Sequence, residues 1–239
     1  MLTTLSVPLA YISTRPRHAT LPAQMATVPR SPNSLSVSNV MSSEQTMQSK
    51  RPALVIIMGT SGCGKSTIGE GLAATLEVPF IDGDNLHPQS NVDKMSRGEP
   101  LTDQDREPWL QRIHKHAQEL SDAAENRNSK RPVILIACSA LKKIYRDTLR
   151  GEEHVNDDTH FLPIQTFFLY LKGSREALQK RMAARKGHFM TERMLASQLQ
   201  TLEEPDLSTE KDVREVDIDR SREEVLAEAV AATQTLLDL

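Results

Sequence analysis

The chain has 239 residues, of which 26% are charged and 4% aromatic, with a formal net charge of −3. That length suits one sizeable α/β domain with an appendage. The near-neutral balance and the scarcity of aromatic rings exclude a nucleic-acid surface or an acidic membrane as the expected partner, and no apolar stretch is long enough to span a bilayer.

Residues 1–50 are rich in Ser, Thr and Pro, carry Arg15, Arg17 and Arg30, and contain no acidic residue before Glu44. They show no sustained apolar period and are expected to form a disordered tail ahead of a single domain at 51–239. Two other readings of the tail stay open. An acid-free, Arg- and Ser-bearing start fits a mitochondrial transit peptide, although Pro8, Pro16 and Pro22 weaken any amphipathic helix, and translation could instead begin near Met41 or Met47. With only Cys63 and Cys138, both read as reduced thiols, the expected location is the cytoplasm, with the mitochondrion as the alternative.

From Ala53 onward, short apolar runs alternate with helical patterns, the signature of a parallel sheet covered by helices. The first run, Ala53-Leu54-Val55-Ile56-Ile57-Met58, delivers the chain into Gly59-Thr60-Ser61-Gly62-Cys63-Gly64-Lys65-Ser66, followed by Thr67 and a helix to about Leu76. This is the phosphate-loop pattern G-x-x-x-x-G-K-[ST] in its strand–loop–helix setting. The loop amides and the helix N-terminus are expected to cradle phosphates, Lys65 to reach the β- and γ-phosphates, and the Ser66 hydroxyl to ligate Mg²⁺.

A strand at 78–81 ends in Asp82-Gly83-Asp84, with His87 and Pro88 beyond and a helix from about Pro88. Ligands bind parallel sheets outside the carboxyl ends of the strands, so one carboxylate could serve Mg²⁺ through water while the other receives a hydroxyl proton. An Asx-turn or helix cap at the same residues is the structural alternative. A long helix is expected between Thr102 and Asn126, capped by Thr102 or Asp103, with Pro108 better suited to its first turn than to its interior. Trp109 reads as a packing residue, and His114 and His116, two apart on that helix, point away from each other and form no metal pair.

The most apolar run, 132–138, reads as a central strand and ends in Cys138-Ser139 without a Walker-B aspartate. Mg²⁺ would then depend on Ser66, waters and the Asp82 region. A helix at 141–150 would place Ser139 at its cap and set Lys142 and Arg146 on one face as a cationic wall. After a polar stretch at 152–163 come a strand at 165–171 and a helix at 174–185. In that helix Arg181 and Arg185, four residues apart and followed by Gly187, suit a lid closing over phosphate. A further helix ends near Glu204, a last strand covers 213–218, and the closing helix opens on a Ser221/Glu224 capping box and runs to about Leu237. Its expected apolar face comprises Val225, Leu226, Ala229, Val230, Thr233, Leu236 and Leu237.

Taken together, Gly59 to Ser66, the run from Phe80 to Pro88, Asn91, Lys94-Met95, Gly98 to Asp103, Asp105-Arg106, Pro108 to Leu110, Cys138 to Lys143, Tyr145 to Asp147, Leu169 to Leu171, Arg185 to Met190, Ser197-Gln198, Leu202 to Pro205 and Asp217-Ile218 resemble the P-loop gluconokinases. Thr60 and Cys63 stand where Val and Ser are more often seen, at positions where mainly the backbone is used. The tail and the 152–163 segment lie outside the pattern. The resemblance implies a P-loop kinase fold, with a five-stranded parallel sheet of order 2-3-1-4-5, flanking helices and a small lid. It also implies a homodimer and ATP-dependent phosphorylation of D-gluconate to 6-phospho-D-gluconate.

On that reading Lys65, Arg181 and Arg185 stabilise charge on the moving phosphoryl group, Asp84 accepts the 6-hydroxyl proton, and Ser66 and Asp82 serve Mg²⁺. His87, Lys94, Arg97, Ser139, Lys142 and Arg146 surround the sugar acid, with the cation that meets its carboxylate left open. A shikimate or nucleoside monophosphate kinase, and a nucleotide-dependent binding switch, are the rival readings.

Overall fold

In the computed structural model, residues 51–125, 131–151, 163–183 and 191–238 are described. The expected tail, the polar segment at 152–162 and the lid with Arg185 lie outside the described residues. Five parallel strands form one sheet in the order β2-β3-β1-β4-β5: β1 Ala53–Met58, β2 Phe80–Asp82, β3 Val133–Ala137, β4 Gln165–Lys172 and β5 Val213–Asp217. The helices are α1 Lys65–Leu76, α2 Gln89–Ser96, α3 Asp103–Glu125, α4 Lys143–Arg150, α5 Arg175–Ala183, α6 Thr191–Thr201 and α7 Arg222–Leu237. A 3₁₀ turn, Gly83–Leu86, follows β2.

Every residue of β1 is buried because helices cover both faces of the sheet, as a doubly covered parallel sheet demands. Ala53, Val55 and Ile57 face Ile68 and Leu72 of α1 and Val225 and Ala229 of α7. Leu54, Ile56 and Met58 face Trp109, Leu110 and Ile113 of α3 and Tyr145 and Leu149 of α4. The Ser221/Glu224 capping box is present on α7, and Val225, Ala229, Thr233, Leu236 and Leu237 are buried along it.

Three local expectations shift. The second strand starts at Phe80 because Pro79 has no amide to donate, although its carbonyl still accepts from Leu135 N at 3.0 Å. Helix α3 begins at Asp103, leaving Pro108 inside it. Its start is held by a reciprocal cap in which the Asp105 carboxylate accepts from Thr102 N at 2.6 Å while Thr102 Oγ1 accepts from Asp105 N at 3.2 Å. That cap offsets the single helical hydrogen bond a proline forfeits. Helix α4 begins at Lys143 rather than Leu141, after Ala140 at φ 45°.

Gly83 is required by a close approach: a Cβ there would lie 2.4 Å from the carbonyl oxygen of Ala137, the backbone of a buried strand. Gly83→Ala is therefore expected to lower stability by roughly 1–3 kcal/mol or more and to displace the adjoining Asp84. Urea unfolding and the acceptor KM measure the two effects; unchanged values for both would contradict this account.

Candidate active site

The sheet order places the phosphate loop, which leaves the central strand β1, between two groups of strand ends. On one side are the exits of β3 and β2, carrying Ser139, Asp82 and Asp84. On the other are the exits of β4 and β5, next to α5 and α7. Clefts at such carboxyl edges are where open α/β sheets hold ligands.

The loop itself is tightly pinned. Gly59 turns out of β1 at φ 138°, where an added Cβ would meet the Leu171 carbonyl at 2.8 Å, and its amide donates to Ser139 O at 3.3 Å. Lys65 Nζ donates to the carbonyls of Gly59 and Thr60, each at 3.1 Å, so the ammonium is held against the loop at the first turn of α1. Thr60 and Cys63 are buried, so their side chains face the protein. Ser61 N donates to Gln198 Oε1 at 2.6 Å, tying α6 to the loop. Thr67, with Gly62 and Gly64, borders a cleft of about 230 Å³ that Arg181 and Arg222 also line.

Beside the loop, Ser66 Oγ donates to Asp82 Oδ2 at 2.9 Å, while Asp82 Oδ1 accepts from Asp84 N at 3.1 Å. One carboxylate thus caps the 3₁₀ turn, the structural alternative read from the sequence, and also meets the loop serine. A hydroxyl and a carboxylate side by side are hard oxygen donors of the kind Mg²⁺ takes alongside waters and phosphate oxygens. Among the described residues no cluster of three or more His, Cys, Asp or Glu could hold a metal by itself, so these two oxygens fit an ion carried mainly by phosphate. The Asp84 side chain is exposed and has no hydrogen-bond partner among the described residues.

Past Asp84 the chain builds a polar lobe. The His87 ring stacks on Trp109 with centroids 4.0 Å apart and planes 14° from parallel. Trp109 Nε1 donates to Gly83 O at 2.8 Å, so the tryptophan packs and positions at the same time. Lys94 pairs with Asp105 at 2.6 Å, and Lys142 pairs with Asp103 at 2.7 Å. Tyr145 Oη also donates to Asp103. Hydrogen bonds from Lys142 and Tyr145 hold the Asp103 carboxyl below its ordinary value, and those from Lys94 and Thr102 hold Asp105 well below the carboxylate range. Arg97 caps the end of α2 and pairs with Glu99 at 2.7 Å on the exposed rim.

Arg146 does not belong with these cations. It is 1% exposed and grips Glu210 with both edges, Nε to Oε2 at 2.8 Å and Nη2 to Oε1 at 2.7 Å, with Nη1 reaching the Glu203 carbonyl at 3.0 Å. The expected wall of Lys142 and Arg146 fails because α4 starts after Lys142, which turns toward Asp103 while Arg146 turns inward. Ser139 likewise caps nothing; the residue before α4 is Lys142, and it makes no side-chain cap. Arg181 sits on α5, donating to the carbonyls of Cys63 and Ile218 beside the loop. Asn91, Asp105 and Gln198 carry site geometry that reading the chain missed, their only signal being membership in the matched pattern; Asp103 and Trp109 were read only as a cap and a packing residue.

The sequence profile of the shikimate kinase family matches residues 61–234. The thermoresistant gluconokinase of Escherichia coli strain K12 is 44% identical over 178 residues, 74% of this chain and 91% of that protein. The thermosensitive gluconokinase of the same strain is 46% identical over 164 residues, 68% of this chain and 78% of that protein. The crystal structure of a gluconokinase from Sinorhizobium meliloti 1021 superposes with a TM-score of 0.59 at 39% identity, covering 79% of this chain and 95% of that one. Relatives of this identity, matched over most of both chains, settle the kinship: the chain belongs to the gluconokinase family of P-loop kinases.

Proposed function

We propose that the protein transfers the γ-phosphoryl group of ATP to the 6-hydroxyl of D-gluconate, yielding 6-phospho-D-gluconate and ADP in gluconate degradation. The observation that carries this reading is the placement of Asp84, a carboxylate unpartnered among the described residues, beside the Ser66–Asp82 pair at the mouth of the phosphate loop. The gluconokinase names of the relatives supply the acceptor.

The loop amides and the α1 N-terminus hold the triphosphate, and Lys65 swings from its loop carbonyls to the β- and γ-oxygens. Ser66 and Asp82 would hold Mg²⁺, which when bound would supply positive charge to neutralise the phosphates. The 6-oxygen forms its bond to the γ-phosphorus as the bond to the β,γ-bridging oxygen breaks, and Asp84 receives the hydroxyl proton. Arg181, with Arg185 from the lid, steadies charge on the donor side. His87, Lys94, Arg97, Ser139 and Lys142 present the sugar acid. Because Lys94, Arg97 and Lys142 are each paired to a carboxylate, the substrate's own carboxylate shares an existing ion pair rather than meeting a bare charge. Arg146 contributes only by holding the surrounding backbone.

No described helix is long and apolar enough to cross a membrane, and family resemblance supports a cytoplasmic homodimer as part of the same reading. A panel of acceptors with coupled ADP detection tests the assignment. Gluconate is expected to drive ADP release at least about a hundredfold faster than shikimate, whose ring cannot satisfy a lobe built for an open-chain acid. ADP release with shikimate and none with gluconate would overturn the choice of acceptor.

A further inference from the structure

Asn91 is 3% exposed, on the first turn of α2, and its amide nitrogen makes two contacts. Nδ2 donates to the backbone carbonyl of Asp105 at 2.8 Å and lies 3.3 Å from His87 Nδ1. A carbonyl oxygen only accepts, so the group facing Asp105 must be the amide nitrogen; the flipped amide would set two acceptors against each other. The second hydrogen of that nitrogen then points at His87 Nδ1, which must accept it. An imidazole that accepts at Nδ1 carries its proton on Nε2 and is neutral.

The surroundings act in the same direction. His87 is stacked on Trp109, whose indole is in turn fixed to Gly83 O, so the ring has one orientation. Burial lowers its pKa. Asp84 opposes that shift and Arg106 adds to it, the net displacement being downward. Nε2 has no partner among the described residues, and the side chain is partly buried within electrostatic reach of Asp84.

We infer that Asn91 is a positioning residue that locks His87 as the neutral Nε2–H tautomer, making His87 a hydrogen-bond donor to an oxygen of the sugar acid rather than a cation for its carboxylate. This rests on the proposed reading of the Asp84–His87 lobe as the acceptor site and deepens it. A neutral donor reads a hydroxyl or carboxylate oxygen by direction and leaves charge recognition to the lysine pairs. Protonating Nδ1 would set two N–H groups face to face, so an imidazolium is disfavoured at this position.

The test uses the full chain, labelled with ¹⁵N and free of substrate. The His87 resonances, assigned by their loss in His87→Gln, are expected to show an unprotonated Nδ1 and a protonated Nε2 at neutral pH. A protonated Nδ1, alone or together with Nε2, overturns the inference. Kinetics supply the second arm. Glutamine can place an N–H near the position of Nε2, whereas asparagine places it near Nδ1. The gluconate KM of His87→Gln is therefore expected to be at least roughly tenfold below that of His87→Asn, the worth of one hydrogen bond. Equal KM values for the two variants overturn the donor role. Asn91→Ala is expected to raise the gluconate KM by about tenfold with little change in the ATP KM. Should that variant fail to fold, the resonance and His87 comparisons still decide. If the wild-type protein phosphorylates no gluconate, the acceptor assignment fails while the resonance result stands; a wrong tautomer in an active gluconate kinase sinks this inference alone.

Discussion

Asp84→Asn is expected to lower kcat by about 10³-fold or more while the affinity for ATP changes little. General-base assistance is typically worth 10²–10⁴-fold, and asparagine keeps the size of the side chain while losing its capacity to take a proton. The change is unusually clean because the Asp84 carboxylate bonds to no other described residue: its backbone amide, not its side chain, is bound to Asp82. Asp82→Asn would behave differently, since that carboxylate both caps the 3₁₀ turn and meets Ser66; it should weaken nucleotide binding as well as turnover. Coupled-assay kinetics together with equilibrium titration of ATP separate the two variants. Wild-type turnover in Asp84→Asn would remove that residue from the mechanism.

Arg146→Met is expected to cost about 3–5 kcal/mol, the usual penalty for removing one partner of a buried ion pair. For a domain of this size that corresponds to a fall in Tm of roughly 10 °C. The loss strands part of the Glu210 carboxylate, which Arg150 alone would then neutralise through its 2.8 Å contact, and leaves the Glu203 carbonyl without its donor. The pH dependence follows the same pair. Burial pushes the Glu210 carboxyl up, but hydrogen bonds and charge from Arg146 and Arg150 outweigh it and hold the group at about 2, against an ordinary 4.5. A depressed carboxyl contributes stability above its unfolded value and loses it as the pH falls toward its folded one. Wild-type stability should therefore decline between about pH 4.5 and 2, and the decline should be shallower in Arg146→Met. Thermal unfolding across that range measures both. A variant of native stability with a greatly raised gluconate KM would instead return Arg146 to the substrate site.

Some of this protein could be read from the chain because the deciding interactions are local. The phosphate loop needs only eight consecutive residues and the strand before them. The α7 cap needs Ser221 and Glu224, three apart, and the buried stripe behind it follows from the helical repeat. Strand β1 announces itself by six apolar residues in a row. Asp82 stands out at the strand end, although the chain does not show that one carboxylate would cap a turn and meet Ser66 together.

Other features depended on partners distant in sequence. Arg146 looks like a surface cation until Glu210, 64 residues away, is folded against it. Lys142 is claimed by Asp103, 39 residues earlier, and Pro108 is admitted into a helix because Thr102 and Asp105 secure the turn before it. The amino-acid sequence alone determined the phosphate-loop pattern and which carboxylates stand at the strand end, since neighbouring backbone amides and side chains create both. Which cations face the cleft, which vanish into the core, and how an asparagine sets the protonation of a histidine were decided only by the tertiary structure. Charges and hydrogen bonds act through space, and a chain's spacing does not reveal which distant group will neutralise them.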